Sequence, residues 1–577
     1  MVRAKHTRMQ GVLTLTMALC LSGTVASAAT AVPQPPREVD NSIAALPHNP
    51  GLEQKKPNQA QAQVENQVTT APTRADEVKF TIRNFRFEAP EMILDKADLS
   101  AILKRAMGRE LTLTELNRTV NELTAYCRQH GYPASAAYVP AQESRDGIVL
   151  IKALPGRLGE VQVENHSKLK SSVVQGFVNG LHTGDIINTP ELETALYNIS
   201  NVSGTRAVGV LRPGKAFGTS NLTVRIEDGK GTNTVLYVEN YGSHNSGRYR
   251  YGLQHNMYDV AGTGAKINTG VLLSNRNLHN YYVNYEMLVG HGGTTAGVGV
   301  SRMDYDMGTV PNGTGGHVDD VTGMATTISL FGSRPIYHLT HRMLQFNYGY
   351  DYKDLHDDLV AGVMRNSKKH SHSAHVGLSG YWKKNNFLSD YDFKVTYGTL
   401  GMDSDYARLL NALHETSGTY TKAEFSLNMV QQLGHRSDVL IKTSGQIAGH
   451  NLDGSEEFYL GGANGVRAYP QGEGSGDSGL MGTTEFRYYT NVPGLVASSY
   501  FDIGHVWYNY DGAYESIPGG RAKDGQTLKG WGLGLAYTQP NDWFSRLDYA
   551  RRIGDDPNLT SHAWARNRFW FLMGKIW

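Results

Sequence analysis

Residues 465–479, GVRAYPQGEGSGDSG, hold the densest concentration of potentially functional groups in the chain. The glycines of residues 474–479 form a G-x-G-x-x-G pattern, which in nucleotide-binding proteins cradles a phosphate. Residues 476–479 read Gly-Asp-Ser-Gly, a string that also occurs around serine nucleophiles. The third candidate is the cation Arg467, which a carboxylate elsewhere in the fold could bind.

The surroundings disfavour the first two kinds of chemistry. A dinucleotide-binding loop follows a strand and opens a helix, whereas here a loop leads into the alternating, strand-like residues 480–489. No G-x-S-x-G elbow is centred on Ser475 or Ser478, and no nearby His or Asp is marked out as a base. We therefore expect neither a nucleotide site nor a catalytic serine, and no enzyme.

A partner for Arg467 occurs in residues 500–507, YFDIGHVW. If this segment is a strand whose bulky apolar residues face lipid, alternation turns Asp502 and Gly504 to the opposite side. A guanidinium matches a carboxylate bidentately, and a glycine leaves room for an incoming loop. The alternative is that Arg467 is solvated outside and Asp502 meets water.

Other clusters are weaker candidates. His370 and His372 share a strand face with His375 nearby, but no acidic or Cys companion completes a metal site. The acidic pairs at residues 319–320 and 357–358 are typical of solvated loops. The sequence therefore predicts no metal and no cofactor.

The N-terminal region indicates export. Residues 1–28 have a basic start, a short apolar run and Ala-Ser-Ala before the expected cleavage point, the pattern of a signal peptide. Cleavage would remove Cys20 and leave Cys127 alone, so no disulfide is expected. Residues 29–77 are rich in Pro and Gln and predict a linker, with a weakly signalled plug helix near residues 39–46.

Composition narrows the class of protein. The chain has 577 residues, 64 Gly, 32 Tyr and a formal net charge of +1. Such a charge provides no basic surface for nucleic acid. An exported chain rich in Gly and Tyr suggests a β structure with aromatic girdles, as in outer-membrane barrels. A secreted β-sandwich or β-solenoid is the alternative, which composition does not separate.

Residues 78–156 and 157–230 repeat one order of elements: strand, helix, helix, strand, strand. The first unit contains a capping box, Thr112 with Glu115, at the start of its second helix. Cys127 falls on the buried stripe of that helix, so we interpret it as a core residue. Each unit is large enough to fold around a small core of its own.

Residues 231–577 show two-residue alternation instead of helical periodicity. Over residues 530–537 every second residue is Trp, Leu or Tyr, and the others are Gly or Ala. This division fits strands with one side facing lipid and the other facing a crowded lumen. The length predicts a transmembrane β-barrel of about 16 antiparallel strands, with a loop near residues 461–480 folded into it.

Several short motifs carry a family resemblance. In the first unit they are Tyr126, Gly131 and Tyr132 at a helix end, then Pro140 and Gln142; in the second unit they are Pro213 and Gly214. In the barrel region they are Val466, Arg467, Ala468 and Tyr469 of the loop, with Phe501, Asp502 and Gly504 of the wall. Together they resemble two-partner secretion transporters. This is the hemolysin-activator and filamentous-hemagglutinin-transporter branch of an outer-membrane superfamily whose soluble units are called POTRA domains.

The resemblance implies a transmembrane β-barrel in the bacterial outer membrane, preceded by two periplasmic POTRA domains. The POTRA domains would bind one unfolded exoprotein of hemolysin or adhesin type, and the barrel would translocate it to the cell surface. The other implied partners are outer-membrane lipids and the barrel assembly machinery that inserts such proteins; no cofactor, metal or nucleic acid is implied. The alternatives are a barrel-insertion factor of the same superfamily and a passive porin.

One position departs from the family pattern: Ala468 stands where the family usually has glycine. If the backbone there requires a positive φ, alanine costs about 1 kcal/mol or more. We therefore expect a strained or differently shaped loop tip, with consequences for the ion pair that the resemblance implies between Arg467 and Asp502.

Overall fold

The structure of the protein is a computed structural model. It describes residues 61–64, 79–143, 145–203, 205–229, 231–311, 317–360, 364–511, 525–555, 559 and 565–577. The predicted signal peptide and the weakly signalled plug helix lie outside these residues. Within the predicted linker, residues Gln61–Val64 form strand β1.

The first α/β unit consists of β2 (Phe80–Ile82), β3 (Asn84–Glu88), α1 (Lys96–Lys104), β4 (Arg109–Leu111), α2 (Leu113–Gln129), β5 (Ala136–Tyr138), a 3₁₀ turn (Arg145–Gly147) and β6 (Ile148–Leu154). Strands β3, β6 and β5 form a three-stranded sheet in that order, and β2 pairs with β4. The first strand of the predicted order is therefore divided in two, β2 and β3. Strand β4 has no counterpart in the prediction because three residues give no periodic signal.

Helix α2 begins and ends as its sequence predicts. The Thr112 hydroxyl accepts a hydrogen bond from the Glu115 amide, and the Glu115 carboxylate accepts one from the Thr112 amide, which confirms the capping box. Gly131, with φ of 103°, follows the helix end in a conformation that favours glycine. Cys127 is fully buried, and burial raises the pKa of its thiol to about 11. It is a core residue, as predicted.

The second unit consists of β7 (Arg157–Asn165), α3 (Ser171–Val178), α4 (Thr189–Ser203), β8 (Arg206–Pro213) and β9 (Thr219–Glu227). Its sheet has the order β1-β8-β9-β7, so β1 occupies the edge beside β8. Val174, Leu196 and Val224 belong to a buried cluster that joins both helices to the sheet. Among the described residues, no helix combines the length and the apolarity required to cross a membrane.

The remaining strands build a barrel. In chain order they are β10 (Thr232–Glu239), β11 (Arg250–Val260), β12 (Ala265–Ser274), β13 (His279–Leu288), β14 (Thr295–Pro311), β15 (His317–His338), β16 (Arg342–Val360), β17 (Met364–Lys384), β18 (Phe387–Met402), β19 (Gly418–Gln432), β20 (Ser437–Ala448), the hairpin strands β21 (Phe458–Tyr459) and β22 (Ser475–Gly476) outside the wall, β23 (Ser478–Tyr489), β24 (Leu495–Trp507), β25 (Gly525–Thr538), β26 (Trp543–Arg552) and β27 (Asn567–Ile576). Helix α5 (Asp405–His414) lies between β18 and β19. The wall has 16 antiparallel strands, and pairing of β27 with β10 closes it. The predicted barrel and its strand number are confirmed.

Alternation along the strands separates an apolar outer face from a polar lumen. In β25, Trp531, Leu533 and Leu535 are 41, 53 and 50% exposed, whereas the residues between them are buried. In β27, Phe569 faces outward in the same way. Lys575 interrupts that face near the end of the strand, where its ammonium lies 5.0 Å from the centre of the Trp543 ring. A lysine can extend to the interface from such a position at little cost.

The second unit lies against one rim of the barrel. We call the turns at residues 261–264, 289–294 and 339–341 the proximal rim. The Lys170 amide donates a hydrogen bond to the Gly262 carbonyl (2.9 Å). The ring of Tyr197, on α4, stacks on His338 with ring centroids 4.3 Å apart. The soluble unit therefore directly adjoins the opening of the lumen.

Candidate functional site

One long connection folds back inside the barrel between β20 and β23. We call its residues 449–477 the infolded segment. Leu460, Val466 and Tyr469 are at most 2% exposed and pack in a cluster with wall residues that include Val506 and Leu528. The loop predicted near residues 461–480 is thus the inner part of a longer segment, and a hairpin of β21 and β22 stiffens it.

Arg467, at the tip of the infolded segment, binds Asp502 of β24 bidentately. Its Nε lies 2.9 Å from Oδ2, its Nη2 lies 2.8 Å from Oδ1, and its backbone amide also donates to Oδ2 (3.1 Å). Arg467 is 5% exposed and Asp502 is fully buried. The structure therefore brings together the two residues that the sequence paired, and the solvated alternative does not hold.

Four further wall residues complete this site. Glu485 and Asp548 lie 3.1 and 3.4 Å from Nη1 of Arg467, and Arg546 bridges the same two carboxylates. The guanidinium stands over the ring of Tyr500, 3.2 Å from its centroid. We call Arg467, Asp502, Glu485, Arg546 and Asp548 the tip anchor. Burial alone would lower the pKa of Arg467, but the hydrogen bonds and charge of Asp502 outweigh it and raise that pKa.

The residues around Arg467 also hold the tip. The carbonyl of Arg467 accepts a hydrogen bond from the Trp570 indole (2.6 Å), and Tyr469 Oη donates to the Lys529 carbonyl (3.3 Å). Gly504 lies beneath Leu460, where an added Cβ would come within 2.5 Å of a leucine methyl carbon. Phe501, which directly precedes Asp502 in β24, lies on the outer face and is 41% exposed.

The expectation of strain at Ala468 is wrong. Ala468 is absent from the positive-φ residues of the described chain. Its methyl carbon instead faces Gly530, and a Cβ built on that glycine would stand 2.5 Å from it. The space for alanine comes from a glycine of the neighbouring wall strand, since Gly530 of β25 is paired in register with Asp502 of β24. Loop and wall are therefore matched in size.

A second group of ion pairs, which the sequence reasoning missed, holds the beginning of the infolded segment. Glu456 binds Lys353 (2.6 Å) and Lys422 (2.9 Å), and Asp453 binds Lys369 (2.8 Å). We call these five residues the base anchor. Burial alone would raise the pKa of the Glu456 carboxyl, but the two lysine charges hold it well below its usual range. The available signal was three lysines at inward-facing strand positions and an acidic D-G-S-E string before the loop.

The glycine-rich string serves structure. Ser475 and Gly476 form β22, which pairs with β21. The Ser478 hydroxyl accepts a hydrogen bond from the Ala448 amide (3.0 Å). The carboxylate of Asp477 accepts amide hydrogen bonds from Leu452 and Tyr510 (3.0 and 2.8 Å).

The residues predicted to form POTRA motifs lie at turns and sheet ends. The side chain of Gln142 exchanges two 2.8 Å hydrogen bonds with the backbone of Leu150, and the Tyr132 hydroxyl accepts one from the Ile93 amide. The Gly214 amide closes the β8–β9 hairpin by donating to the Thr219 carbonyl (2.9 Å). The remaining motif residues lie in the same places: Tyr126 near the end of α2, Pro140 after β5 and Pro213 at the end of β8.

The structure places His370, His372 and His375 on β17 with different partners. His370 and His372 lie side by side on β17, but His370 pairs with Asp403, and His375 faces the lumen, where it pairs with Asp351. Among the described residues, no group of three or more metal-binding side chains occurs.

The interpretation of residues 319–320 and 357–358 as loop acids is wrong. Residues 319–320 belong to β15, and residues 357–358 belong to β16. Asp357 is bonded to the Tyr305 hydroxyl, and Asp358 contacts His356 (3.2 Å). Strands that extend far beyond the usual length of a membrane strand carry charged residues without becoming loops.

A closed barrel, an infolded segment ion-paired to its wall and α/β units beside its opening define a transporter of the outer membrane. Residues 80–156 match the ShlB-type POTRA domain, and residues 218–537 match the haemolysin secretion/activation protein ShlB/FhaC/HecB. The chain belongs to this ShlB/FhaC/HecB family. It is an outer-membrane transporter of two-partner secretion whose partner is an exoprotein and whose POTRA domain is periplasmic. The proximal rim therefore faces the periplasm.

Similar proteins agree with this assignment over nearly the full length. The heme/hemopexin transporter protein HuxB of Haemophilus influenzae (strain 86-028NP) is 27% identical over 531 residues, which cover 88% of this chain and 90% of HuxB. The outer membrane transporter CdiB of Dickeya dadantii (strain 3937) is 20% identical over 521 residues, which cover 86% of this chain and 87% of CdiB. The structure of CdiB from Escherichia coli shares the fold, with a TM-score of 0.68 and 17% identity, over 96% of this chain and 100% of that one.

Proposed function

We propose that residues 78–156 and 157–230 are two POTRA domains that capture an unfolded exoprotein of hemolysin or adhesin type and deliver it to the lumen. The proposal depends on one observation above all: the second unit contacts the proximal rim of a closed barrel. A chain held on that unit is already beside the opening. A passive porin would leave these contacts without a role.

The first unit offers a place for an added strand. In the described chain, β3 pairs with β6 on one side, and its other edge has no partner strand. A groove of about 430 Å³ runs beside this edge, between β3 and α1. Its apolar lining includes Phe87, Met92, Leu94 and Leu103. An extended peptide could pair with the edge through its main chain and place alternate side chains in the groove.

The second unit supports the same mode of binding. Strand β1 adds in parallel to β8, from Gln61 opposite Val208 to Val64 opposite Leu211. A segment far away in sequence thus extends this sheet through main-chain hydrogen bonds. The edge beside β8 accepts a strand, and strand addition makes few demands on sequence.

The remaining partners follow from the barrel. Its exposed apolar face would contact outer-membrane lipids, and the barrel assembly machinery would insert it. We propose that the chain acts as a conduit without catalytic activity, cofactor, metal or nucleic acid. Export would draw its direction from folding of the exoprotein outside the cell. The tip and base anchors would hold the infolded segment in the lumen until the exoprotein displaces it.

Export of a co-expressed candidate exoprotein tests capture. Met92→Asp places a charge in the groove beside β3 and should reduce export several-fold. Ile93→Asp is the matched control, because Ile93 is 92% exposed and outside the groove lining. Deletion of residues 78–227 should abolish export and leave a heat-modifiable barrel. Unchanged export in both Met92→Asp and the deletion would refute capture by these units.

The same cells distinguish the alternative of a barrel-insertion factor. If the protein exports an exoprotein, loss of the chain leaves the levels of other outer-membrane barrels normal. A general fall in those barrels would favour the insertion function instead.

A further inference from the structure

Four asparagines stand in register across the first four barrel strands. Asn233 of β10 pairs with Asn256 of β11, Asn256 pairs with Asn268 of β12, and Asn268 pairs with Asn284 of β13. We call these four residues the asparagine row. Neighbouring strands lie about 4.8 Å apart, so the row runs across the wall as a band of side-chain amides.

The row faces the lumen. The residues that alternate with it, such as Leu253 and Val283, are 45 and 53% exposed on the outer face. Asn233 and Asn256 are 8 and 5% exposed. Gln254 and Asn280 lie on the same inner face, farther from the proximal rim, and are 6 and 1% exposed. Together with the row they form a patch of six amides, in which Tyr282 stands between Asn280 and Asn284.

This patch has unused hydrogen-bonding capacity. Within the described chain, the side-chain oxygens of Asn233 and Gln254 and both polar atoms of Asn280 have no hydrogen-bond partner. The Asn256 oxygen accepts a hydrogen bond from Asn268, while the Asn256 nitrogen is unpartnered. Buried amides without a protein partner are costly, so these groups require further hydrogen-bonding partners in the lumen.

The position of the patch suggests which ligand passes it. Asn256 lies four residues before the end of β11, and Asn268 lies three residues after the start of β12. The turn between these strands belongs to the proximal rim, where Gly262 contacts the second unit. A chain released from that unit meets the patch on entering the lumen.

The chemistry of the patch matches a polypeptide main chain. A side-chain amide carries a C=O acceptor and an NH2 donor group, which complement the single N–H donor and the C=O acceptor of a peptide bond. Gln254 and Asn256 are two residues apart on one strand, which is the repeat at which an extended chain presents groups of one side. Because amides are uncharged, they would bind many sequences and hold no charged side chain strongly.

We propose that the asparagine row, with Gln254 and Asn280, is a main-chain binding track for the exoprotein as it enters the lumen. This inference rests on the proposed function, since it requires an extended chain in transit. The track would replace water around the exoprotein backbone without reading its sequence, so that weak contacts can form and break as the chain advances.

Disulfide capture tests the track in the purified full chain with Cys20→Ser, which leaves Cys127 as the remaining native cysteine. The probe is an unfolded peptide of Gly, Ser and Thr whose single cysteine is activated as a mixed disulfide. Cys127 is buried and does not compete. Asn256→Cys should be labelled about ten times faster than Asn347→Cys, after each rate is divided by that of a small thiol reagent. Asn347 is the matched control because it is a lumen-facing asparagine of β16 already bonded to Ser379 (2.8 Å).

A second variant separates binding from mere access. Gln254→Met with Asn280→Leu keeps side-chain volume but removes the amides, and should slow peptide labelling of Asn256→Cys roughly tenfold. The small reagent should react as before, and the barrel should remain heat-modifiable. Equal labelling at positions 256 and 347, no labelling at either, or no effect of the amide removal would each overturn the track. These outcomes are independent of export in Met92→Asp, so the track can fail while capture stands.

Discussion

The tip and the base of the infolded segment are held by opposite arrangements of charge. At the tip, a cation on the segment enters a group of wall carboxylates; at the base, carboxylates on the segment enter a group of wall lysines. The side chains of Arg467 and Asp502 are 7 and 1% exposed. Those of Lys353 and Lys369 are 21 and 13% exposed. The pair of Arg467 and Asp502 is therefore drier than the lysines Lys353 and Lys369 of the base, although Arg546 at the edge of the tip anchor is 31% exposed.

The arginine of the tip anchor and the lysines of the base anchor restrict the infolded segment in different ways. A guanidinium is planar and binds a carboxylate in one orientation, whereas an ammonium is a point charge on a flexible stem. Arg467 also has its carbonyl bound by Trp570 and its plane against Tyr500. We infer that the tip anchor sets the geometry of the infolded segment and that the base anchor mainly limits how far it can move.

The largest expected effect is at the tip. Arg467→Ala would leave Asp502 buried without its cation, and breaking a buried ion pair in this way costs about 3–5 kcal/mol. We expect fast hydrogen exchange in residues 465–469, a lower unfolding temperature of the barrel and a severe loss of export. Exchange measured by mass spectrometry on the purified chain checks the first of these.

A wall ion pair provides the control for that experiment. Arg487 binds Asp438 (2.6 Å) within the wall and is part of neither anchor. Arg487→Ala should leave exchange in residues 465–469 at the wild-type rate. If it loosens them as much as Arg467→Ala does, the tip has no special role.

Within the tip anchor, the pair of Arg467 and Asp502 was predictable because both residues occur in short motifs. Asp502 and Gly504 alternate with apolar neighbours, which indicates an inward position from local pattern alone. The barrel was predictable for the same reason, since alternation extends over all its strands. Glu485 belongs to a segment whose alternation was visible in the sequence, but its ion pair with Arg546 was not predictable. Glu485 lies on β23 and Arg546 on β26, and their proximity depends on the register of the strands between them.

The ion pairs of the base anchor could not be predicted from local sequence patterns. Lys353, Lys369 and Lys422 come from three strands, and nothing local marks which lumen-facing lysine meets Glu456. The matched sizes of Ala468 and Gly530 were missed for a similar reason. A loop position was assessed by its own backbone, whereas its environment was set by a strand 62 residues later in the chain.

A smaller effect is expected at the base. Glu456→Gln keeps one acceptor oxygen, turns the other into an NH2 donor and removes the charge between Lys353 and Lys422, which should cost about 2–3 kcal/mol. Hydrogen exchange should rise in residues 453–459 and little in residues 465–469. Glu424→Gln is the control, because Glu424 also contacts Lys422 but lies on the wall. Equal loosening of both stretches would contradict two separable anchors.

The fit between loop and wall gives a third, weaker effect. Gly530→Ala adds a carbon where only 2.5 Å separates it from Ala468, and such overpacking costs about 1–3 kcal/mol. Ala468→Gly should restore the space, so the double variant should recover most of the lost unfolding temperature. Additive losses in the double variant would show that the two positions do not share one space.

Salt should produce the smallest difference and the sharpest contrast between the anchors. Raising ionic strength from 0.1 to 1 M shortens the screening length from about 10 to 3 Å, but only where ions and water reach the charges. The ion pairs of the partly exposed Lys353 and Lys369 should weaken by less than about 1 kcal/mol, while the buried pair of Arg467 and Asp502 should not respond. Hydrogen exchange in residues 453–459 should therefore rise with salt, and exchange in residues 465–469 should stay constant. Equal acceleration in the two stretches would mean that water reaches Arg467 as readily as Lys353, and the division between a rigid tip and a compliant base would have to be abandoned.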